Sequence, residues 1–241
     1  MSLPDAFTDT ILELFPELID RNRPAIHQAG EAIGRSLAED GVLHTFGSGH
    51  SAILAQELER RAGGLVPVSS IVDPTGGWPE TIPGYGEKLL KRYAFQYGIR
   101  PGDVGLVLSN SGKNPAPLEV ALGLKERGLT VIALTSLDMA QAATSGHPSG
   151  QKLHQIADIV LDNGGMPGDA ALNLPAAGTR VGPTSTLTGA LLLQLVALTA
   201  IEWLATHDHP VPVWRSQNLP DGPAFNEQMA ERYRHRIRRP V

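Results

Sequence analysis

Short, nearly unbroken apolar runs alternate along this chain with longer segments in which apolar residues recur at helical spacing. Residues 42–46, 65–72, 104–108, 130–134 and 159–161 have few polar interruptions, the pattern of strands buried on both faces. Between them, residues 51–61, 87–97, 117–127 and 153–157 read as helices, several ended by glycine. Ahead of the first run, residues 7–18 carry helical spacing with Pro16 as a break. A second helix covers about 23–39, with Gly41 placed for its cap. The most apolar stretch, 186–204, belongs to a long helix that starts near Thr184 and closes the core. Strands alternating with helices predict a doubly wound, three-layer α-β-α sandwich on a five-stranded parallel sheet. The expected organisation is one domain: N-terminal helices over 1–40, a core over 41–205 and a C-terminal tail over 206–241.

Composition narrows this picture only slightly. The chain has 241 residues, 41% of them apolar and 19% charged, which is ordinary for a globular protein. A net charge of −5 argues against nucleic acid as a partner. Arg232, Arg234, Arg236, Arg238 and Arg239 read as a solvated helix face. There is no cysteine, hence no disulfide framework and no thiolate chemistry. Glu13 and Glu17 interrupt the first apolar segment, so it does not read as a signal peptide. Gln194 and Glu202 make the 186–204 segment a buried helix rather than a membrane span. The expectation is a cytoplasmic protein.

The chemistry concentrates in two turns. Gly47-Ser48-Gly49-His50-Ser51 follows the first strand, and Ser109-Asn110-Ser111-Gly112-Lys113-Asn114 follows the third. Each leads into a helix, so backbone N–H groups and hydroxyls gather where an anion can be held. In a doubly wound sheet both turns lie beyond the strand C-termini, where ligands bind. The first turn also satisfies the loose G-x-G-x-x-A dinucleotide pattern, with Asp73 as a late acidic partner, but that reading leaves the second turn unexplained. Thr184-Ser185-Thr186 gives the last long helix another hydroxyl-lined start, where capping accounts for one hydroxyl. Two Gly/Pro-rich loops, 73–86 and 163–183, are long enough to wall a site.

On these residues the chain resembles the sugar isomerase (SIS) domain family, whose members bind phosphosugars. The S-x-S-G-x-[ST/N] spacing implies phosphate contacts from Ser109, Ser111 and Asn114, with Asn114 standing where the family usually has Ser or Thr. The first turn is similar to that of phosphoheptose isomerases and implies Ser51 as a further ligand. Ser48 and Asn110 on the two turns, and Thr184 and Ser185 at the hydroxyl-lined helix start, are the other substrate-binding candidates. Phe46-Gly47-Ser48-Gly49-His50-Ser51, Arg61-Ala62-Gly63-Gly64-Leu65, the segment 157–163, Gly182-Pro183-Thr184-Ser185-Thr186 and Ser216-x-Asn218 extend the likeness over nearly the whole chain after residue 20. The resemblance also implies a homodimer or homotetramer, in which Asn218 is expected to reach a neighbour's site.

A sugar phosphate held in this way needs a base against C2 to form an enediolate. Glu57, two helical turns after His50 and about 10 Å from it, is the first candidate. Phosphoheptose isomerases carry a catalytic Glu on the corresponding helix, one turn further along. The plainer reading of Glu57 is an ion pair with Arg60 or Arg61. His50 is placed to shuttle a proton or to donate to phosphate. Glu80, ahead of Pro83-Gly84-Tyr85, is a second acid/base candidate, and Asp169 is a weaker one. Phosphoheptose isomerases also carry a catalytic His on their last long helix, whereas residues 187–204 contain none, so isomerase and lyase outcomes both stay open. No cofactor is expected. His27, His147 and His154 lack ligand spacing, so no metal is expected either.

Overall fold

The computed structural model describes residues 1–237. A single 36-residue helix, α1 (Leu3–Ala38), opens the chain behind a capping box made by Ser2 and Asp5. It does not break at Pro16, nor does a second helix start near residue 23. Pro16 and Pro24 both lie on the exposed side. The carbonyls they cannot bond, those of Leu12 and Asp20, belong to exposed residues, where water serves them instead. The helix stops at Asp40, which takes the left-handed conformation expected of the cap (φ 56°). Gly41 serves by its size: a Cβ there would lie 2.1 Å from Ser36 Oγ.

Five strands follow, β1 (Leu43–Gly47), β2 (Val68–Ser70), β3 (Val104–Leu108), β4 (Thr130–Thr135) and β5 (Ile159–Asp162). They form one parallel sheet in the order β2-β1-β3-β4-β5. The strand order reverses between β1 and β3, which run side by side with Gly47 opposite Leu108. β2 is shorter than its apolar run. Leu65 pairs antiparallel with Val213, and Val66 N donates to Pro212 O at 2.8 Å, so the first part of that run is taken by the C-terminal segment.

The sheet is buried on both faces. Leu106, Leu108, Ile132 and Leu134 pack under α1 and α7 (Ser185–Thr206). Phe46, Val107, Val131 and Ala133 pack under α3 (Tyr85–Tyr97) and α4 (Pro115–Lys125). Gly30 and Gly34 let α1 and α7 approach closely: a Cβ on Gly30 would meet Thr199 Cβ at 2.4 Å. α7 is long and apolar enough to cross a membrane by length and composition, but its inner face is a core face carrying Leu192, Leu193, Val196 and Ala200.

Shorter elements complete the described residues. α2 (Ser51–Glu57) is only seven residues long and ends four residues before Arg61. α5 (Leu137–Ala142), capped by Ser136, and α6 (Leu153–Ile156) line the β4–β5 crossover. The 163–183 loop is not wholly irregular, since it folds into a hairpin of β6 (Leu172–Leu174) and β7 (Thr179–Val181). The tail carries α8 (Gly222–Arg232), and Trp214, Tyr233 and Ile237 form a small core there with Val42 and Val66. The C-terminal arginines are not simply a solvated face. Arg236 is 4% exposed, and its Nη2 donates to both Asp103 oxygens at 2.7 Å. Arg238 and Arg239 lie outside the described residues.

Candidate functional site

Because β1 and β3 are neighbours, the turns that leave them stand side by side at the C-terminal edge of the sheet. The first runs through Ser48, Gly49 (φ 56°) and His50, with Ser51 N bonded back to Ser48 O at 3.1 Å. Gly47 has no room for a side chain: a Cβ would sit 2.3 Å from Ser51 O. Ser48 is 8% exposed, and its hydroxyl is buried without a hydrogen-bond partner. Buried hydroxyls are ordinarily satisfied, so an orphan in a turn of this kind points to a ligand. His50 is exposed and does not spend its side chain on capping α2.

The second turn is more tightly built. Gly112 N donates to Ser109 O at 3.1 Å and to Ser109 Oγ at 3.2 Å. Ser111 is half-buried. Asn110 serves the scaffold: its carbonyl accepts from Ser136 N at 3.0 Å and Thr135 Oγ1 at 3.1 Å, and its Oδ1 accepts from Asn163 Nδ2 at 2.7 Å. Lys113 is exposed within this turn. It brings a cation that the hydroxyl-centred reading passed over, although it stands inside the motif.

The Gly/Pro-rich loop after β2 closes one side; it spans 73–84, shorter than the expected 73–86 because α3 already starts at Tyr85. Its ends are buckled by Asp73, whose Oδ1 accepts from Thr75 N, Thr75 Oγ1 and Tyr85 Oη at 2.9, 2.7 and 2.6 Å. Burial acts to raise the Asp73 pKa, but these bonds, with one from Gly77 N, outweigh it and hold the carboxyl below its usual range. Asp73 is therefore a structural clasp, a role its position after the second apolar run did not disclose. Glu119 on α4 is the other clasp, accepting from Gly84 N at 2.5 Å, Gly86 N at 2.7 Å and Glu87 N at 3.3 Å. Glu80 is brought to the second turn, where its Oε1 accepts from Asn114 Nδ2 at 2.8 Å and its carbonyl accepts from Ala116 N at 3.0 Å. Asn114 therefore already has a carboxylate on its amide.

The 163–183 segment is tied to the second turn through Asn163 and changes the reading of α7. Asp169, in a left-handed conformation (φ 51°), accepts from Thr184 N at 3.3 Å, Ser185 N at 3.0 Å and Ser185 Oγ at 2.5 Å. The start of α7 thus already holds an anion of its own chain. Thr184 is 1% exposed, and the Ser185 hydroxyl is engaged by the fold.

Two further candidates stand apart from the rim. Glu57 ends α2, away from the turns, and pairs with Arg61 at 2.6 Å. Asn218 is exposed in the segment after Trp214, beside the strand N-termini, and does not join the site of its own chain. Among the described residues no group of three or more His, Asp or Glu side chains is placed to hold a metal ion.

A family model described as the SIS domain matches residues 6–136. UPF0309 protein lmo0025 of Listeria monocytogenes is 39% identical over 231 residues, covering 96% of this chain and 97% of its own. UPF0309 protein ABC0887 of Shouchella clausii is 34% identical over 247 residues, covering 98% and 99%. Among solved structures, phosphoheptose isomerase GmhA from Neisseria gonorrhoeae superposes with a TM-score of 0.54 at 18% identity, covering 85% of this chain and 100% of its own. The Vibrio vulnificus NanR protein complexed with ManNAc-6P gives 0.54 at 16%, covering 95% and 68%. At such identities the structural likeness carries the fold alone.

Proposed function

The chain belongs to the SIS domain family, and from that premise we propose that it acts on a hexose or N-acetylhexosamine 6-phosphate by removing the proton at C2. The observation that carries the reading is the buried, unpartnered Ser48 hydroxyl, set beside a second hydroxyl-bearing turn at the strand-order reversal. In this reading Ser48, Ser51, Ser109 and Ser111 take the phosphate oxygens, and Lys113 neutralises the dianion. The open-chain sugar then runs down beside α2. Glu57 takes the C2 proton, the C2–H electrons form the C1–C2 double bond, and the C1 carbonyl becomes an enolate oxygen, while His50, held in the phosphate turn, donates to the phosphate. On a hexose 6-phosphate, loss of the O2 proton with delivery of a proton to C1 gives the ketose. On either sugar, re-formation of the C1 carbonyl with a new C2–C3 double bond and departure of the C3 hydroxyl, protonated as it leaves as water, gives the elimination product. The reaction calls for no cofactor. Glu80, tied to Asn114, positions the second turn.

A second reading is a phosphosugar-binding regulator without turnover. It is favoured by α7, which contains no histidine. Incubation with a panel of sugar 6-phosphates in deuterated water, followed by NMR at C2–H, separates the readings. Isotope exchange with a ketose or a dehydrated product is expected. Binding without exchange leaves the regulator, and no binding of any sugar phosphate removes both.

A further inference from the structure

Trp78 is 90% exposed, a large aromatic with almost no contact to its own chain. Its backbone is nevertheless fixed. Glu80 N donates to Gly77 O at 3.0 Å, so residues 77–80 form a tight turn with Trp78 and Pro79 at the corner. One end of that turn rests on the first hydroxyl-bearing bend: a Cβ on Gly77 (φ 94°) would lie 2.6 Å from Gly49 N and 2.8 Å from Ser48 Oγ. The other end is tied to the second bend by the Glu80–Asn114 bond and to the start of α4 by Ala116 N. Four residues thus bridge both bends and hold an indole at the corner. Asp73 and Glu119 secure the rest of the loop, so little ordering remains to be done when the ring meets a ligand.

We propose that Trp78 is a specificity-determining residue that stacks on the carbon skeleton of the bound sugar phosphate. The phosphate sits in the bends, and the apolar C–H face of the sugar covers the indole. This inference rests on the sugar-phosphate reading of the same site. An exposed ring on a rigid corner binds by burying its face, and a partial ring face is worth about tenfold in affinity. Inorganic phosphate fills the bends without reaching the ring, so its affinity does not depend on Trp78.

The test is calorimetric titration of the full chain and of Trp78→Ala and Trp78→Phe with N-acetylglucosamine 6-phosphate, glucose 6-phosphate and inorganic phosphate. Tryptophan emission is recorded in parallel, with Trp78→Phe supplying the background from Trp203 and Trp214. Trp78→Ala is expected to weaken a sugar phosphate about tenfold and leave inorganic phosphate unchanged, while Trp78→Phe restores most of the loss. The Trp78 emission should shift to the blue on adding the sugar phosphate but not on adding phosphate. Unchanged sugar-phosphate affinity with an unmoved emission overturns the role of Trp78 and leaves the site reading standing. A parallel loss of inorganic phosphate, or failure of Trp78→Phe to rescue, also overturns it, because the position then acts through the loop. If neither the sugar phosphates nor phosphate bind the unaltered chain, the site reading itself is wrong.

Discussion

Glu57 must leave Arg61 before it can reach a substrate, since the two are 2.6 Å apart at the foot of α2. Glu57→Gln keeps the size and loses the base. The expected outcome is loss of C2–H exchange with unchanged phosphate affinity, and undiminished exchange would dismiss Glu57. Asp103 poses a different residue-scale question. It is 2% exposed and accepts from His44, Arg236, Val42 N and Arg100 N. Burial acts to raise its pKa, but the bonds from His44, Arg100 N and Arg236 outweigh this and hold it below the carboxylate range. A depressed folded pKa stabilises above the unfolded value of about 3.9, and that stability is lost as the pH falls through the folded one. Asp103→Asn should therefore lower the urea midpoint near neutral pH and flatten its decline below about pH 4. An unchanged acid limb would refute this.

At the scale of elements, the 73–84 loop shows how an irregular segment is made rigid. α3 begins at a left-handed Gly84 that offers no side-chain cap. The Glu119 carboxylate supplies that cap from α4, and the loop is thereby fastened to the helix that follows the second turn. Removing it leaves the buried Gly86 N–H without a partner, at about 1–3 kcal/mol. Glu119→Ala is expected to expose the loop to limited proteolysis within residues 73–84 and to weaken sugar-phosphate binding. A loop as resistant as before would mean that Asp73 and Tyr85 suffice. α1 teaches a related lesson about proline. Both of its prolines face solvent, so neither breaks the helix.

For the whole molecule, two regions bear on assembly and cohesion. α7 turns Leu187 (44% exposed) and Leu198 (56%) outward, and Ile53 on α2 and Leu12 on α1 are exposed as well. A second copy is the proposed cover for α7. The unaltered chain is expected to sediment as a dimer or tetramer and Leu198→Asp as a smaller species; a monomeric unaltered chain would end the idea. At the other end, Arg236 fastens the tail beneath the sheet through Asp103 and the Asp40 carbonyl. Breaking a buried pair by removing one partner costs about 3–5 kcal/mol. Arg236→Ala should therefore lower the thermal midpoint sharply, and a loss no larger than that of an exposed arginine would show the tail to be dispensable.

Residues close in sequence determined much of this protein. Apolar runs such as 104–108 fix five buried strands, and the Gly/Ser turns after the first and third lie at one edge because parallel connections leave all strand C-termini together. Glycine, serine and apolar spacing act locally, so a one-dimensional reading reaches them. Partners distant in the chain were decided only by tertiary structure. Asp169 fills the start of α7, Glu80 takes the amide of Asn114, Glu119 caps a helix on another element, and Arg236 reaches back to Asp103. A carboxylate or guanidinium carries no local signature of its partner, because its energy depends on which opposite charge or N–H group the fold brings within 3 Å or so.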